Sequence, residues 1–429
     1  MRMKFNKSSQ LLLVSAASLL AAGLITACGT NTVDFVYVAS AKAAGTNNYG
    51  EIDVFEINSV SGYMRQIPSS PFPSGGRNPV AEAVSSDNAN LYVVNQDDNT
   101  IVQFMIGSDG KLYPQNTVNT PGIFPLAVAV SGTYLFVVDT YEPLPVCSNA
   151  DPCPGSVGVF PLEPATTGSN PTLSGAPGSP VVNTSIGANY WPLTLLSYTA
   201  TGNSSNCKTS ASTDVITPTA INVLKSGADL FVTAYDASVT PNVGYIFGFS
   251  IGSSGALTPL NCGVPFVAGV HPSAVASDST NTYVYATDAT SGNISGFTFA
   301  SGLLTELSAS PFPAGTQPSA IVVDPSYPYA YVTNEIDGTV SAYSIGGSGA
   351  LTRIGTYEAG IQPVAIGIDP STHHFLFTAN FTPGGTSGTA SDFELSATAG
   401  TLTNTQLSPY KTNALPTAIA AIPHGSTTQ

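Results

Sequence analysis

From about Val33 onward, short segments in which β-branched and aromatic residues alternate with small polar ones follow one another, separated by Gly- and Pro-bearing turns. Such alternation predicts short antiparallel strands and an all-β fold. The clearest unit opens at Pro318-Ser319-Ala320-Ile321-Val322-Val323-Asp324 and continues through Tyr331-Val332-Thr333-Asn334 and Gly338-Thr339-Val340-Ser341-Ala342-Tyr343. It turns at Gly346-Gly347-Ser348-Gly349 and ends with Ala350-Leu351-Thr352. Four strands are predicted per unit.

The unit repeats. Pro-x-Ala starts occur at Pro79, Pro125, Pro218, Pro272, Pro318, Pro363 and Pro416, and aromatic-led second strands at Tyr37, Tyr92, Phe136, Phe231, Tyr285, Tyr331 and Phe377. Six of these pair in chain order. A second strand at Tyr37 lacks a first, and a first strand at Pro416 lacks a second. A ring resolves both, because the strand from Thr417 to Ile422 completes the blade begun near Val36. Closure also removes the exposed edges that endanger an all-β chain. The expected architecture is a seven-bladed β-propeller of four-stranded antiparallel blades, spanning residues 33–424. The proline starts lie 46, 93, 54, 46, 45 and 53 residues apart, so an eighth blade is the alternative. Trp191-Pro192-Leu193 resembles a first strand, but nothing after it completes a blade. Seven blades with insertions near 141–154 and 183–217 are therefore expected.

The first residues change the picture of where the chain resides. Arg2, Lys4 and Lys7 precede an apolar stretch from Leu11 to Leu24, too short and too interrupted for a membrane span. Ile25-Thr26-Ala27-Cys28 closes it and resembles the bacterial lipobox, in which the cysteine takes a lipid on sulfur and becomes the first mature residue. Residues 1–27 are thus expected to be a lipoprotein signal peptide, 28–32 a tether, and 425–429 a polar tail. The membrane would be a partner through Cys28, at the cell envelope, on the outer membrane or cell surface.

Loss of three bases with the leader takes the net charge from −15 to −18, which excludes nucleic acid as a partner. Only 9% of the chain is charged, against about 25% in ordinary soluble domains, while 42% is hydrophobic, enough for a packed core. A monomer is expected. Cys147, Cys153, Cys207 and Cys262 remain beyond Cys28, an even number that reads as two disulfides in an exported chain. A short bridge from Cys147 to Cys153, and one from Cys207 to Cys262, suit their places in the repeat.

The chain resembles the seven-bladed propellers of the lactonase type, relatives of 6-phosphogluconolactonase, and kindred propellers with Tyr-Val-Thr-Asn repeats. Tyr331-Val332-Thr333-Asn334-Glu335-Ile336-Asp337-Gly338-Thr339-Val340 and the starts at Pro318 and Pro363 carry the likeness. The resemblance implies a lactone hydrolase with Arg and His at the head of an inner strand. Here those heads read Pro-Val-Ala, Pro-Leu-Ala, Pro-Thr-Ala, Pro-Ser-Ala, Pro-Ser-Ala, Pro-Val-Ala and Pro-Thr-Ala, without either residue. Glu335 matches the family's acidic residue after Asn.

Propeller connectivity sorts the remaining candidates. One face collects Arg77, His271, Gln317 and Gln362 before the prolines, and Asp97, Asp98, Asp139, Asp236, Asp288, Glu335 and Asp337 after the second strands. Both insertions, with Tyr190 and Trp191, fall on this face, which is where a ligand is expected. The acidic residues at strand ends are expected first as turn-shaping groups and only second as ligand contacts, while Tyr190-Trp191 reads equally as a sugar platform or the insertion's own core. His373-His374 reads as a solvated turn rather than a metal pair. No metal or cofactor is expected. Two functions follow: an extracytoplasmic binding or scaffold module for a small molecule, glycan or protein, and, as the alternative, a lactonase-like hydrolase with Glu335, His271 and Arg77 as catalytic candidates.

Overall fold

The structure, a computed structural model, describes residues 32–42, 48–143, 153–164, 174–198, 209–211 and 215–424. The leader, Cys28, Cys147, Cys207, much of both insertions and the polar tail lie outside these residues.

Seven antiparallel sheets form a ring around a central channel, a seven-bladed β-propeller. The six blades read in chain order begin with inner strands Pro79–Val84, Ile123–Ser131, Ile216–Val223, Pro272–Ser277, Pro318–Val323 and Pro363–Ile368. Blade one is the closing blade. Its inner strand is the C-terminal Leu415–Pro423, paired antiparallel to the N-terminal Thr32–Ala41, with Val38 opposite Ile419 and Phe35 opposite Ile422.

The position of each strand explains its composition. Second strands such as Asn90–Asn95 and Phe375–Asn380 are buried throughout, covered on both faces by neighbouring blades. Hence they read as continuous apolar runs rather than alternations. Fourth strands lie at the outer rim and are largely exposed, as Leu112–Asn119 is, with only Leu112 buried. The leading aromatics Tyr37, Tyr92, Phe136, Phe231, Tyr285, Tyr331 and Phe377 are all fully buried. Three of the tyrosines also cross to the next blade. The hydroxyls of Tyr37, Tyr92 and Tyr285 donate to the carbonyls of Gly110, Gly175 and Gly349 at 3.2, 2.7 and 2.8 Å. Each satisfies a polar group that burial would otherwise leave costly.

The long gap in the repeat has a local cause. In five blades the fourth strand is split into two short pieces that both pair with the third strand. In blade three these are Ala176–Pro177 and Trp191–Pro192, both on Ser156–Glu163. Trp191-Pro192 is therefore the second half of a fourth strand, not the start of a blade. A two-stranded hairpin, Leu196–Tyr198 with Thr209–Ala211, fills part of the remaining insertion.

Candidate functional site

The face predicted to bear the site is shaped by a repeated backbone device. The residue before the inner-strand proline lies in the left-handed region in five blades: Asn78 (φ 53°), Phe124 (55°), His271 (58°), Gln317 (55°) and Gln362 (45°). None is glycine, so each carries strain of order 1–3 kcal/mol. The geometry turns the carbonyls of Asn78, His271, Gln317 and Gln362 toward the backbone N–H groups of Gln96, Ala289, Glu335 and Phe381, which donate at 2.9 Å in every case.

Two polar clefts open between blades five, six and seven. The first, about 830 Å³, is lined by His271, Thr290, Ser291, Gln317, Asp337 and Arg353 among others. The second, about 520 Å³, is lined by Glu335, Asp337, Glu358, Gln362 and Asn404 among others. Asp337 stands on the ridge between them and accepts the Thr316 N–H at 2.7 Å. The Gln317 side chain donates to Glu335 Oε2 at 2.7 Å, joining the clefts by a hydrogen bond.

His271 is half-buried, and burial lowers its pKa from the ordinary 6.5, so the imidazole is neutral at pH 7. The Tyr235 ring meets it edge-on at 4.2 Å between centroids and 79°. Arg353 donates to the Pro313 carbonyl at 2.9 Å and to the Tyr343 hydroxyl at 3.2 Å, with its guanidinium 5.6 Å from the Tyr343 ring centre. A neutral base, a fixed cation and several hydroxyls thus share one cleft. Such a cleft suits a polyhydroxylated ligand and can activate water.

The other sequence candidates divide. Arg77 stands apart from both clefts: its Nε donates to Asp98 Oδ1 at 2.7 Å, and its backbone N–H donates to Asp98 Oδ2 at 2.7 Å. Asp97 accepts from the Asn78 side chain at 3.2 Å. Asp139, Asp236 and Asp288, expected on the ligand face, are buried instead. Asp139 and Asp288 accept the N–H groups of Gly122 and Gly269 at 2.9 and 3.0 Å, and Asp236 accepts the Ser238 N–H at 2.8 Å. These are turn-shaping roles, in which a carboxylate at or near the end of its strand accepts backbone N–H groups of the adjoining loops. Trp191 is 3% exposed, donates to the Leu257 carbonyl at 2.8 Å and belongs to the core of blades three and four. Tyr190 reaches Glu142 Oε2 at 3.4 Å. His373 and His374 lie in a turn, and among the described residues no group of three or more His, Cys, Asp or Glu could hold a metal ion.

Arg353 and Tyr235 went unread in the sequence. Arg353 is one of only three arginines beyond the leader, and that scarcity was the available signal.

A family model described as lactonase, 7-bladed β-propeller, matches residues 285–416. No curated protein matches the sequence. Among solved structures, a 6-phosphogluconolactonase candidate from Bacteroides fragilis superposes with a TM-score of 0.65 at 18% identity, covering 92% of this chain and 99% of its own. The periplasmic gluconolactonase of Pseudomonas aeruginosa gives 0.64 at 16% identity, covering 91% and 99%. A hypothetical selenium-binding protein from Sulfolobus tokodaii gives 0.60 at 10%, covering 93% and 96%. At these identities the likeness establishes the fold, which hosts many functions.

Proposed function

We propose that the protein is a lactone hydrolase held at the cell envelope by a lipid on Cys28, and that it opens an uncharged, polyhydroxylated lactone. The observation that carries this reading is the cleft whose lining includes both His271, its neutral form favoured by burial, and Arg353, with the hydroxyl-bearing Thr290, Ser291 and Thr316. His271 would take a proton from water as that water attacks the lactone carbonyl, and Arg353 would favour the oxyanion that forms; as the oxyanion collapses, the ring C–O bond breaks and the departing alkoxide takes the proton back from His271. Glu335 would act through Gln317 rather than on the lactone. One cation in the cleft, already committed to Pro313 and Tyr343, is a poor phosphate site, hence the preference for an uncharged substrate. Support for the class comes from the lactonase match over residues 285–416 and from the gluconolactonase names among the fold relatives.

A second reading keeps the same cleft as a binding site without chemistry. It is favoured by the inner-strand heads, none of which carries Arg or His. Acid release from gluconolactone, its 6-phosphate and a homoserine lactone, measured with the mature protein against the spontaneous rate, separates the two. Turnover of the uncharged sugar lactone, reduced about 10²–10⁴-fold by His271→Gln, supports the hydrolase. Saturable binding without turnover would leave the binding module.

A further inference from the structure

Three residues after its proline, each inner strand places one side chain against the neighbouring blade. Six strands use Val128, Ile221, Val275, Ile321, Ile366 and Ile419; the strand beside the closing blade uses Glu82. The Glu82 stem is partly exposed, yet both carboxyl oxygens are shut from solvent and have no hydrogen-bond partner. The backbone amides of Ala39 and Ala420, one from each terminal strand, face it and favour its charged form. Burial outweighs what these two amides offer and pushes the carboxyl well above the ordinary carboxylate range, toward its protonated form.

A second acid grips the same N-terminal strand at its other end. Asp34 is fully buried and accepts the Ser371 hydroxyl at 2.7 Å, a contact made across 337 residues of sequence. Its carboxyl meets that of Asp369 in blade seven, which accepts the N–H groups of Ser371 and Thr372 at 2.7 and 3.0 Å. Two carboxyls in contact share one proton; burial and Asp369 leave it on Asp34, while the bond with Asp34 and then the turn's donors keep Asp369 ionised against its burial.

We propose that the seam of the ring is a proton-operated clasp: protons on Glu82 and on the Asp34–Asp369 pair keep Thr32–Ala41 zipped to Leu415–Pro423, and their loss loosens that pairing. The groups facing these acids do not replace the protons. Tyr37, on the N-terminal strand, feels Glu82 and Asp109. Asp392, on the third strand of blade seven, is itself pushed toward its neutral form, by burial first and then by the charge of Asp369. His373 and His374 share the Asp369 turn, the second giving its N–H to Asp369 at 3.2 Å, and His424 stacks on Phe35 at 5.3 Å. Among the described residues, no ion pair includes Glu82, Asp34 or Asp369.

The direction follows from the protons. Above the ordinary carboxylate range the unfolded chain has released protons that folded Glu82 and Asp34 retain. Their stabilisation is complete below that range and declines as pH rises through the raised folded values. Asp369 works oppositely, losing its contribution only in strong acid.

Hydrogen exchange of the mature protein at pH 5, 7 and 9, expressed as protection factors, tests the clasp. Protection of Thr32–Ala41 and Leu415–Pro423 should fall about tenfold or more from pH 5 to pH 9, relative to Pro318–Val323 and Tyr329–Asn334. Glu82→Val, the residue class of the other six blades, should remove part of that fall, and Asp34→Asn a further part. Glu82→Gln serves if the valine variant fails to fold. A parallel decline in the seam and the reference blade, or variants with the wild-type dependence, would overturn the clasp.

Discussion

Asn334 accepts the Gly315 N–H at 2.9 Å through its side-chain oxygen, while its amide nitrogen donates to the hydroxyls of Thr339 and Ser341, each at 3.0 Å. One residue thus joins an inter-blade turn, the second strand and the third. Asp139 occupies the corresponding place in blade three and accepts the Gly122 N–H at 2.9 Å, but its other oxygen is unpaired, as is the hydroxyl of its cross-strand partner Ser156. Asp288 in blade five accepts from Gly269 and, at 2.7 Å, from Ser295.

Burial pushes the Asp139 and Asp288 carboxyls up to about 7. Because the folded state holds these protons longer, folding stability should fall as pH rises from about 4 through 7. Asp139→Asn supplies the missing donor permanently. It should flatten this dependence and raise stability at pH 8 by about 1 kcal/mol or more, read from urea unfolding. A variant less stable than wild type at pH 8, with the same slope, would show that Asp139 does not act as a buried acid.

The pH profile of lactone hydrolysis should report His271. Its pKa lies below 6.5 because burial disfavours the imidazolium, so kcat/KM should rise through that region and level off near neutrality. Tyr235→Ala removes the ring packed against the imidazole and admits water, moving the midpoint upward toward 6.5. An unshifted midpoint would separate Tyr235 from the base.

The ring was legible because repetition is a property of sequence. Seven Pro-x-Ala starts and seven buried aromatics mark it, and the unmatched pair Tyr37 and Pro416 marks its closure. The split fourth strand was not legible. Trp191-Pro192 carries too few residues to show a period, and its pairing with Ser156 and Val157 is a tertiary fact. The site was legible as a face and not as a set. His271 and Glu335 reach neighbouring clefts through the register of two adjacent blades, whereas Arg77 is held by Asp98 near the seam. Buried Asp139 and exposed Asp97 look alike in sequence, since both follow a second strand. Glu82 carried a signal that only aligning all seven inner strands brings out.

Of the four cysteines expected to form two bridges, Cys153 and Cys262 lie among the described residues and Cys147 and Cys207 outside them. Peptide mapping without reduction should recover Cys147 with Cys153 and Cys207 with Cys262. Cys262 lies in a short 3-10 turn, Asn261–Gly263, between the two halves of blade four's split fourth strand. A bridge to Cys207 would therefore pin the insertion to that blade. Its loop of about 56 residues should contribute roughly 4 kcal/mol in the chain-entropy view, so selective loss of this bridge should lower the melting temperature more than loss of the short one. Crossed pairs or free thiols would refute the assignment.

The closing strand offers the most direct test of the architecture. Leu415–Pro423 supplies the inner edge of blade one, and Thr417 donates its hydroxyl to the carbonyls of Ala39 at 3.0 Å and Pro79 at 2.7 Å, tying three strands from both chain ends. Ile422 is buried in the core shared by blades one and two, and Ile419 packs into the core shared with blade seven. Deleting residues 414–429 removes both, at roughly 1.5–3 kcal/mol for each fully buried side chain, and leaves Thr32–Ala41 as a raw edge prone to pairing with other chains. Deleting only 425–429 removes none of these contacts. The longer truncation should therefore melt at least several degrees lower and aggregate, while the shorter one matches the full chain in thermal unfolding and solubility. Equal behaviour of the two would mean that the ring holds without its C-terminal strand, and that the termini do not close it.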